Sequence, residues 1–219
     1  MKPRIKICCI ASIGEANLAI RYGASAIGLV SEMPSGPGVI PDNLIGEIAG
    51  IVPPGVASFL LTSKQSTSSI IEQQRKTKVN TIQICDRVSI ESYIELRNAL
   101  PGIAIVQVIH VTGPESLEEA KRVRPYVNAI LLDSGNQSLP VKELGGTGRV
   151  HNWNISRAIR EKVAVPIYLA GGINATNVVE AIKKVQPFGI DVCSGVRTNG
   201  KLDEIKLRQV FQQVGNVSD

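Results

Sequence analysis

Short strand-like segments alternate with helical segments eight times along this chain of 219 residues. Each strand candidate is an apolar or β-branched run of about the usual strand length. The eight candidates are 4–8, 26–30, 56–61, 81–85, 104–109, 129–133, 166–170 and 189–193. This alternation is typical of α/β proteins with a parallel sheet. Because an open doubly wound sheet usually has about five or six such units, eight units predict a single-domain (β/α)8 TIM barrel over residues 1–219.

The segments between the strands carry helix start signals. Ser12, with Glu15 three residues later, forms a capping-box pattern ahead of an apolar stripe that begins at Ile13. Further helix starts are predicted at Asp42, Ser89, Pro114 and Asn174, with Ile94 on the apolar face of the Ser89 helix, and a last helix is predicted over 202–214.

Composition excludes several classes of function. Aromatic residues make up 4% of the chain, and its 24 Lys and Arg against 19 Asp and Glu are scattered, not clustered. We therefore expect no nucleic-acid partner. No secretory segment precedes the first strand and no apolar run reaches the length of a membrane span, so a soluble, cytoplasmic protein without a membrane partner is expected. The four cysteines, at 8, 9, 85 and 193, show neither zinc-ligand spacing nor a disulfide framework, and we expect them to be reduced.

Two glycine-ended segments predict a phosphorylated ligand. The first is 169–178, where an apolar run passes through Gly171 and Gly172 into a helical pattern, and the second is 191–196. Glycine lets backbone amides approach an anion closely, and a helix start adds unpaired N–H groups. A third glycine-rich stretch, 143–149, is read either as a mobile flap over the phosphate or as a flexible surface turn.

Cys8 and Asp133 each stand at the end of a predicted strand. Side chains alternate along a strand, so Lys6 and Cys8 share one face while Ile5 and Ile7 share the other. A thiol and a carboxyl facing each other across a barrel mouth could act as base and acid. Taken singly, each residue is also compatible with an ordinary structural role, as a buried core cysteine or a loop-capping aspartate.

Taken together, the motifs resemble the phosphoribosylanthranilate isomerase family of tryptophan biosynthesis over nearly the whole chain. The matching segments are 6–8 (Lys-Ile-Cys), 23–28, 131–133 (Leu-Leu-Asp), 145–148 (Gly-Gly-Thr-Gly), Trp153, 169–172, 177–178 and 191–196. The joint spacing of Lys-Ile-Cys, Leu-Leu-Asp and Gly-Gly-Thr-Gly is more specific than the glycine motifs alone.

The resemblance implies an Amadori rearrangement of a phosphoribosyl amine, an aldose–ketose isomerisation without cofactor or metal. It implies Cys8 as general base and Asp133 as general acid. The residues expected to bind phosphate are Gly146, Thr147, Gly148, Gly171, Gly172, Asn174, Ser194 and Gly195, and further substrate contacts are expected from Gln83, His110, Asp191 and Arg197. The partner is a phosphorylated small molecule, and the chain is expected to be a monomer or a homodimer.

The chain departs from the family where the anthranilate group binds, so it resembles a divergent member. The family's arginine after the second strand is missing from Ser35-Gly36-Pro37-Gly38-Val39, and no residue there can form its bidentate bond. Other altered motifs are 83–86 (Gln-Ile-Cys-Asp), 151–153 (His-Asn-Trp) and 195–197 (Gly-Val-Arg). Three functions stay open: isomerisation of phosphoribosylanthranilate, isomerisation of another phosphoribosyl amine, and binding of a phosphosugar without turnover.

Overall fold

Eight parallel strands close into a barrel in a computed structural model, which describes residues 2–217. The strands follow one another around the barrel in chain order: β1 (Arg4–Ile7), β2 (Ala26–Val30), β3 (Ala57–Thr62), β4 (Thr81–Ile84), β5 (Ala104–His110), β6 (Ala129–Asp133), β7 (Ile167–Leu169) and β8 (Gly189–Val192). β8 pairs with β1 to close the ring, with Lys6 opposite Asp191. The predicted TIM barrel is confirmed, and all eight predicted strand segments correspond to barrel strands.

In the described residues 2–217, eight α-helices surround the barrel: α1 (Ile13–Arg21), α2 (Asp42–Gly50), α3 (Thr67–Thr77), α4 (Ile90–Ala99), α5 (Glu115–Val123), α6 (Trp153–Lys162), α7 (Val178–Val185) and α8 (Glu204–Gly215). A two-stranded antiparallel ribbon, β9 (Arg197–Thr198) with β10 (Lys201–Leu202), lies between β8 and α8. Within residues 2–217, no helix combines the length and the apolar character needed to cross a membrane.

The core has two layers because side chains alternate along each strand. Ile5 and Ile7 pack outward in the large cluster between the sheet and the helices. Lys6 and Cys8 point inward, and Cys8 belongs to a second cluster that fills the barrel interior. The inward orientation predicted for Cys8 from strand parity is therefore confirmed.

Several helix starts follow local side-chain chemistry. The Ser12 hydroxyl accepts a hydrogen bond from the Glu15 N–H at 3.2 Å, and the Ser89 hydroxyl caps α4 through the Ser92 N–H. The Glu15 carboxylate does not complete the predicted capping box. It accepts instead from the N–H groups of Ala11 and Leu202, because tertiary contacts outcompete the local bond.

Other predicted helix boundaries are corrected. Asn174 does not cap α7; it lies in a turn, and Asn177 directly precedes the helix. The last helix begins at Glu204, because the Asp203 carboxylate accepts from the Ile205 and Lys206 N–H groups. Pro114 also precedes its helix, which starts one residue later. Two residues of the predicted apolar stripes are exposed, namely Ile13 and Ile94.

Candidate active site

A pocket of about 660 Å³, including its open mouth, lies at the carboxyl ends of the barrel strands. This is the end of a TIM barrel at which catalytic residues gather. The lining residues are Cys8, Cys9, Val30, Met33, Ser35, Gly36, Pro37, Leu61, Gln83, Cys85, Asp133, Leu144, Gly145, Gly146, Thr147, Gly148, Ala170, Gly171, Gly172, Ile173, Asp191, Cys193 and Ser194. Cys8 and Asp133, which are separated by 125 positions in the chain, therefore share one cavity.

Cys8 stands immediately after β1 with its thiol buried in the pocket wall. A Cβ atom on Gly28 would lie 2.8 Å from Cys8 Sγ and 3.1 Å from Lys6 Nζ, so only glycine leaves room for both groups. Burial raises the pKa of the Cys8 thiol to about 11, while the Lys6 ammonium partly opposes this rise by favouring the thiolate. Cys8 is thus a protonated thiol at neutral pH, next to a cation that favours its anionic form.

That cation belongs to a buried ion pair at the floor of the pocket. Lys6 Nζ donates to Asp191 Oδ2 at 2.9 Å and lies 5.1 Å from the centre of the Phe59 ring. Burial is the largest single influence and would lower the pKa of Lys6. The charge and hydrogen bond of Asp191 and the neighbouring Cys8 and Cys85 together outweigh burial and raise the pKa, so Lys6 is charged. The other carboxylate oxygen, Asp191 Oδ1, is buried without a hydrogen-bond partner. Because Asp191 also lines the pocket, this oxygen is a ready acceptor for a ligand hydroxyl.

Asp133 ends β6 and lines the same pocket as Cys8. Its Oδ1 accepts from the Ser134 N–H at 2.7 Å, which fixes the orientation of the carboxyl group. Its Oδ2 lies 3.0 Å from the position that a Cβ on Gly145 would occupy, directly under the loop that follows β6. One carboxyl oxygen is thus anchored, while the other faces the space between the loop and the pocket.

The loop after β7 presents backbone N–H groups to the pocket. Gly171 and Gly172 have φ angles of +78° and +64°, which side chains other than glycine rarely adopt. Among residues 2–217, no hydrogen-bond acceptor is found for the N–H groups of Gly171, Gly172 and Ile173. Successive free amides of this kind form a concave anion site.

The predicted phosphate residues fall into two groups. Gly146, Thr147, Gly148, Gly171, Gly172 and Ser194 line the pocket, whereas Asn174 and Gly195 stand behind it. The Asn174 amide donates to the Gly172 carbonyl and its Oδ1 accepts from Thr176, so this side chain braces the loop instead of facing the cavity. A Cβ on Gly195 would overlap the Ile173 carbonyl oxygen, so glycine allows the loops after β7 and β8 to pack together.

The segment after β6 covers the pocket. Ser134 Oγ and Thr147 Oγ1 lie 2.6 Å apart, and a Cβ on Gly146 would collide with the Pro37 ring from the β2 loop. At the outer edge, Lys142 Nζ pairs with Asp86 Oδ2 at 2.6 Å. These contacts dock residues 143–149 against the β2 and β4 ends of the barrel.

Four further substrate contacts were predicted, and the structure brings two of them to the pocket. Gln83 and Asp191 line it, and Gln83 Oε1 is buried without a partner. His110 does not line the pocket; it is buried, with Nε2 3.2 Å from the Cys85 carbonyl oxygen. Its ring lies under the loop at Gly135, a contact that strand pattern alone does not specify.

Arg197 also lies outside the pocket, contrary to the expectation of a substrate contact. Its guanidinium forms an ion pair with Glu15 at 3.1 Å and donates to the carbonyls of Cys8, Cys9 and Gly200. Arg197 therefore holds the end of β1 against the β9–β10 ribbon. Sequence reasoning missed this role because Glu15 lies 182 residues away.

The expectation that all four cysteines are reduced is wrong for two of them. Cys9 and Cys193 form a disulfide with a Cα–Cα distance of 6.0 Å, while Cys8 and Cys85 are free. The two bonded cysteines lie 184 residues apart and meet because β1 and β8 are neighbours in the closed barrel. The bond joins the end of β1, next to Cys8, to the segment just before the turn at Ser194.

His151, which stands in one of the altered motifs, lies behind the β7 loop. Burial lowers its pKa to about 4, so the imidazole is neutral at physiological pH. Its Nε2 lies 2.7 Å from the Ser156 hydroxyl, and Nδ1 lies 3.0 Å from the point where a Cβ on Gly171 would stand. His151 thus supports the glycine turn without adding a positive charge to it.

Comparison with known proteins identifies relatives of the whole chain. The family model described as N-(5'phosphoribosyl)anthranilate (PRA) isomerase matches residues 6–213. The chain is 36% identical over 215 residues to N-(5'-phosphoribosyl)anthranilate isomerase 2 of Methanosarcina mazei, covering 97% of this chain and 94% of the relative. It is 32% identical over 228 residues to the Methanosarcina acetivorans isomerase, covering 98% and 94%.

Solved structures agree with these relatives. Phosphoribosyl anthranilate isomerase from Thermotoga maritima superposes with a TM-score of 0.84 at 25% identity, covering 98% of this chain and 100% of that chain. Another structure of such an isomerase was solved in complex with reduced 1-(o-carboxyphenylamino)-1-deoxyribulose 5-phosphate. It superposes with a TM-score of 0.81 at 24% identity and covers 98% of this chain and 100% of that chain.

Proposed function

The chain belongs to the N-(5'-phosphoribosyl)anthranilate isomerase family, and from this premise and its pocket we propose that Cys8 and Asp133 perform the aldose–ketose isomerisation. The substrate is N-(5'-phosphoribosyl)anthranilate, and the reaction is a step of tryptophan biosynthesis. One observation carries the assignment to these residues: an inward thiol and a carboxyl group with one free oxygen share a cavity beside unpaired backbone amides.

Asp133 opens the sugar ring. Protonated on the oxygen that faces the cavity, it donates its proton to the furanose ring oxygen as the bond between that oxygen and C1 breaks. The nitrogen lone pair forms a C1=N double bond, and the product is a positively charged iminium. The Ser134 N–H takes no part in the proton transfer; it donates to the other carboxyl oxygen and holds the group in place.

Cys8 then takes the proton from C2. Because burial raises the pKa of Cys8 well above neutrality, the thiolate is the minor form at pH 7. Lys6 and the iminium both place positive charge near the sulfur and favour this form. The electrons of the broken C–H bond form a C1=C2 double bond and neutralise the iminium, which gives an enol. As the enol becomes the C2 ketone, its hydroxyl proton returns to the Asp133 carboxylate and C1 takes the proton back from the Cys8 thiol, so both groups regain their starting forms.

The phosphate and the ribose hydroxyls position the reacting carbons. We place the phosphate at the free amides of Gly171, Gly172 and Ile173, with 146–148 and Ser194 around it. The unpartnered Asp191 Oδ1 accepts from a sugar hydroxyl. Binding energy from these remote groups holds C2 near the thiol and raises the rate of the chemical step.

The loss of substrate fluorescence on addition of the protein tests this assignment. The parent chain is expected to turn over N-(5'-phosphoribosyl)anthranilate, and Cys8→Ala and Asp133→Asn are each expected to lower kcat by roughly 10²- to 10⁴-fold. Asp42→Asn, a carboxylate on the outer surface of α2, serves as the control with parent activity. Absence of turnover by the parent would refute the function, and full activity in either site variant would refute its assigned role.

A further inference from the structure

We propose that the pocket recognises the aromatic amine part of its substrate by shape without a charged contact, so that the protein also isomerises N-(5'-phosphoribosyl) derivatives of uncharged arylamines such as aniline. This proposal rests on the isomerase function above. It extends that function to a class of substrates without a carboxylate on the ring.

The closed barrel determines where the arylamine lies. With the phosphate at the ends of β7 and β8, the opposite side of the ring of strands is formed by β3 and β4. Leu61 from β3 and Gln83 from β4 line the pocket there, and Cys85 follows directly after β4. Cys8 after β1 and Asp133 at the end of β6 flank the phosphate strands, so the reacting carbons lie between these two side chains and the aromatic group extends towards β3 and β4.

This far wall is mainly apolar. Its side chains come from β2, β3 and the loops after β2 and β6, namely Val30, Met33, Pro37, Leu61 and Leu144. Leu61 and Leu144 are 8% and 5% exposed, so their surfaces face the cavity and not bulk solvent. A flat aromatic ring that removes this surface from water gains free energy from burial alone.

No cation reaches this wall. Among residues 2–217, no lysine or arginine side chain lines the pocket. The carboxyl groups that line it, Asp133 and Asp191, cannot form an ion pair with a ring carboxylate. Lys6, beneath the floor, is fully buried and engaged by Asp191.

The segment after β6, which covers the pocket, also carries Lys142 and Arg149, and both of these cations are engaged elsewhere. Lys142 pairs with Asp86 and Arg149 pairs with Glu143, both at the outer edge of the loop. A carboxylate on the ring would therefore lose part of its hydration without gaining an ion pair. An uncharged ring does not pay this penalty.

Gln83 lines the same side, and its side-chain amide has hydrogen-bonding capacity that no neighbour uses. Its Oε1 is buried without a partner, and its Nε2 has only a 3.8 Å contact to Cys85 Sγ. A neutral amide can accept from the amine N–H or donate to a ring substituent, and it distinguishes weakly between charged and uncharged rings. The wall thus favours an aromatic ring, and it excludes neither the ring with a carboxylate nor the ring without one.

The experiment compares kcat/KM for the phosphoribosyl derivatives of anthranilate and aniline, after subtraction of the uncatalysed rates. We expect the two values to agree within about tenfold, because the pocket has no cation to bind the ring carboxylate and so gains no selectivity from it. Inhibition constants of the two reduced product analogues, with and without the ring carboxyl, are expected to agree equally well. A preference of about a hundredfold or more for the anthranilate compounds would overturn the proposal.

A gain of selectivity provides the second test. Pro37 lines the pocket, so Pro37→Arg places a guanidinium at the wall. Gly38 is not suitable for this substitution, because its φ is +81° and a Cβ there would collide with Cys9. Pro37→Arg is expected to raise the preference for the anthranilate substrate by about ten- to a hundredfold. Pro37→Gln, which removes the same ring without adding charge, should keep the parent ratio. An unchanged ratio in Pro37→Arg would overturn the proposal.

The outcomes separate the two proposals. Turnover of the anthranilate substrate with an aniline substrate slower by a hundredfold or more refutes the inference and leaves the isomerase function intact. Turnover of neither substrate refutes the function itself, and the inference falls with it.

Discussion

Lys6 and Asp191 form an ion pair of 2.9 Å inside the barrel, directly beneath the Cys8 thiol. The Gly28 geometry limits the distance between Lys6 Nζ and Cys8 Sγ to no more than about 6 Å, a range over which a buried charge acts strongly. The pair forms because β1 and β8 are neighbours in the closed barrel, and its Lys6 charge lowers the pKa of Cys8, the proposed base.

Removal of the Lys6 charge is expected to raise the pKa of Cys8 above its value of about 11. In the parent, alkylation of Cys8 by iodoacetamide should quicken about tenfold per pH unit between pH 7 and 9.5, because the thiolate is the nucleophile. Lys6→Met should slow this reaction at every pH and lower kcat by about ten- to a hundredfold. Mass spectrometry of the Cys8 peptide measures the alkylation rate.

A matched variant controls for stability in this test. Lys6→Met alone leaves the Asp191 carboxylate buried and unpaired, which is expected to destabilise the fold by about 3–5 kcal/mol. Lys6→Met combined with Asp191→Asn removes both charges and should regain much of that stability without regaining the parent activity. Equal alkylation profiles for parent and variants would contradict the electrostatic role of Lys6.

The Cys9–Cys193 disulfide is expected to stabilise the fold. Because it closes a loop of 184 residues, its reduction should cost about 2–4 kcal/mol in the free energy of unfolding. Urea unfolding with and without a dithiol reductant measures this difference. Alkylation of the unfolded, unreduced protein should label two cysteines, Cys8 and Cys85.

The double variant Cys9→Ser with Cys193→Ser is the control for the disulfide. Its unfolding should be independent of the reductant. Labelling of four cysteines in the unreduced parent would show that the bond is absent.

Glu15 is expected to make stability depend on pH through its pair with Arg197. Burial would raise the pKa of Glu15, but hydrogen bonds from Arg197, Leu202 and Ala11 outweigh burial and lower it. A lowered pKa means that the stabilisation is complete above the ordinary value of 4.5 and is lost as the pH falls through the lower folded-state value. Glu15→Gln should therefore destabilise the protein by about 1–3 kcal/mol at pH 7, and by progressively less as the pH falls below the ordinary Glu value of 4.5.

Thermal unfolding of parent and variant from pH 3 to 8 checks this expectation. Glu161→Gln, which breaks an exposed pair with Arg157, should leave the stability close to that of the parent across the range. A Glu15→Gln penalty that stays constant with pH would contradict the linkage.

Gly195→Ala is expected to weaken phosphate binding. The added Cβ would overlap the Ile173 carbonyl oxygen, so the β7 loop must shift and its free amides lose their shared orientation. We expect KM for the substrate and the inhibition constant of inorganic phosphate to rise by about tenfold or more, with a smaller effect on kcat. Steady-state kinetics with phosphate as competitor measures both values.

Gly50→Ala provides the comparison for this substitution. A Cβ at Gly50 meets nothing within 4 Å, so phosphate inhibition should match the parent. Parent-like phosphate inhibition in Gly195→Ala would argue against a phosphate site at these loops.

The sequence by itself determined the elements and their faces. Apolar runs of strand length at eight places led to the barrel, and the parity of Lys6 and Cys8 against Ile5 and Ile7 placed the thiol inside it. These properties are local, since strand alternation and capping depend on residues a few positions apart. The absence of the family's arginine near Pro37 was also visible in the sequence of residues 35–39 alone.

Only the tertiary structure decided which side chains meet. Arg197 was expected at the substrate, yet Glu15 engages it from 182 residues away, and Cys9 is bonded to Cys193 across the β1–β8 closure. His110 is buried beside the Cys85 carbonyl instead of lining the pocket. Such partners depend on barrel closure and loop packing, which bring together groups that no local pattern relates. The same closure formed an apolar wall without a lining cation among residues 2–217, and this wall is the basis of the proposed acceptance of uncharged arylamines.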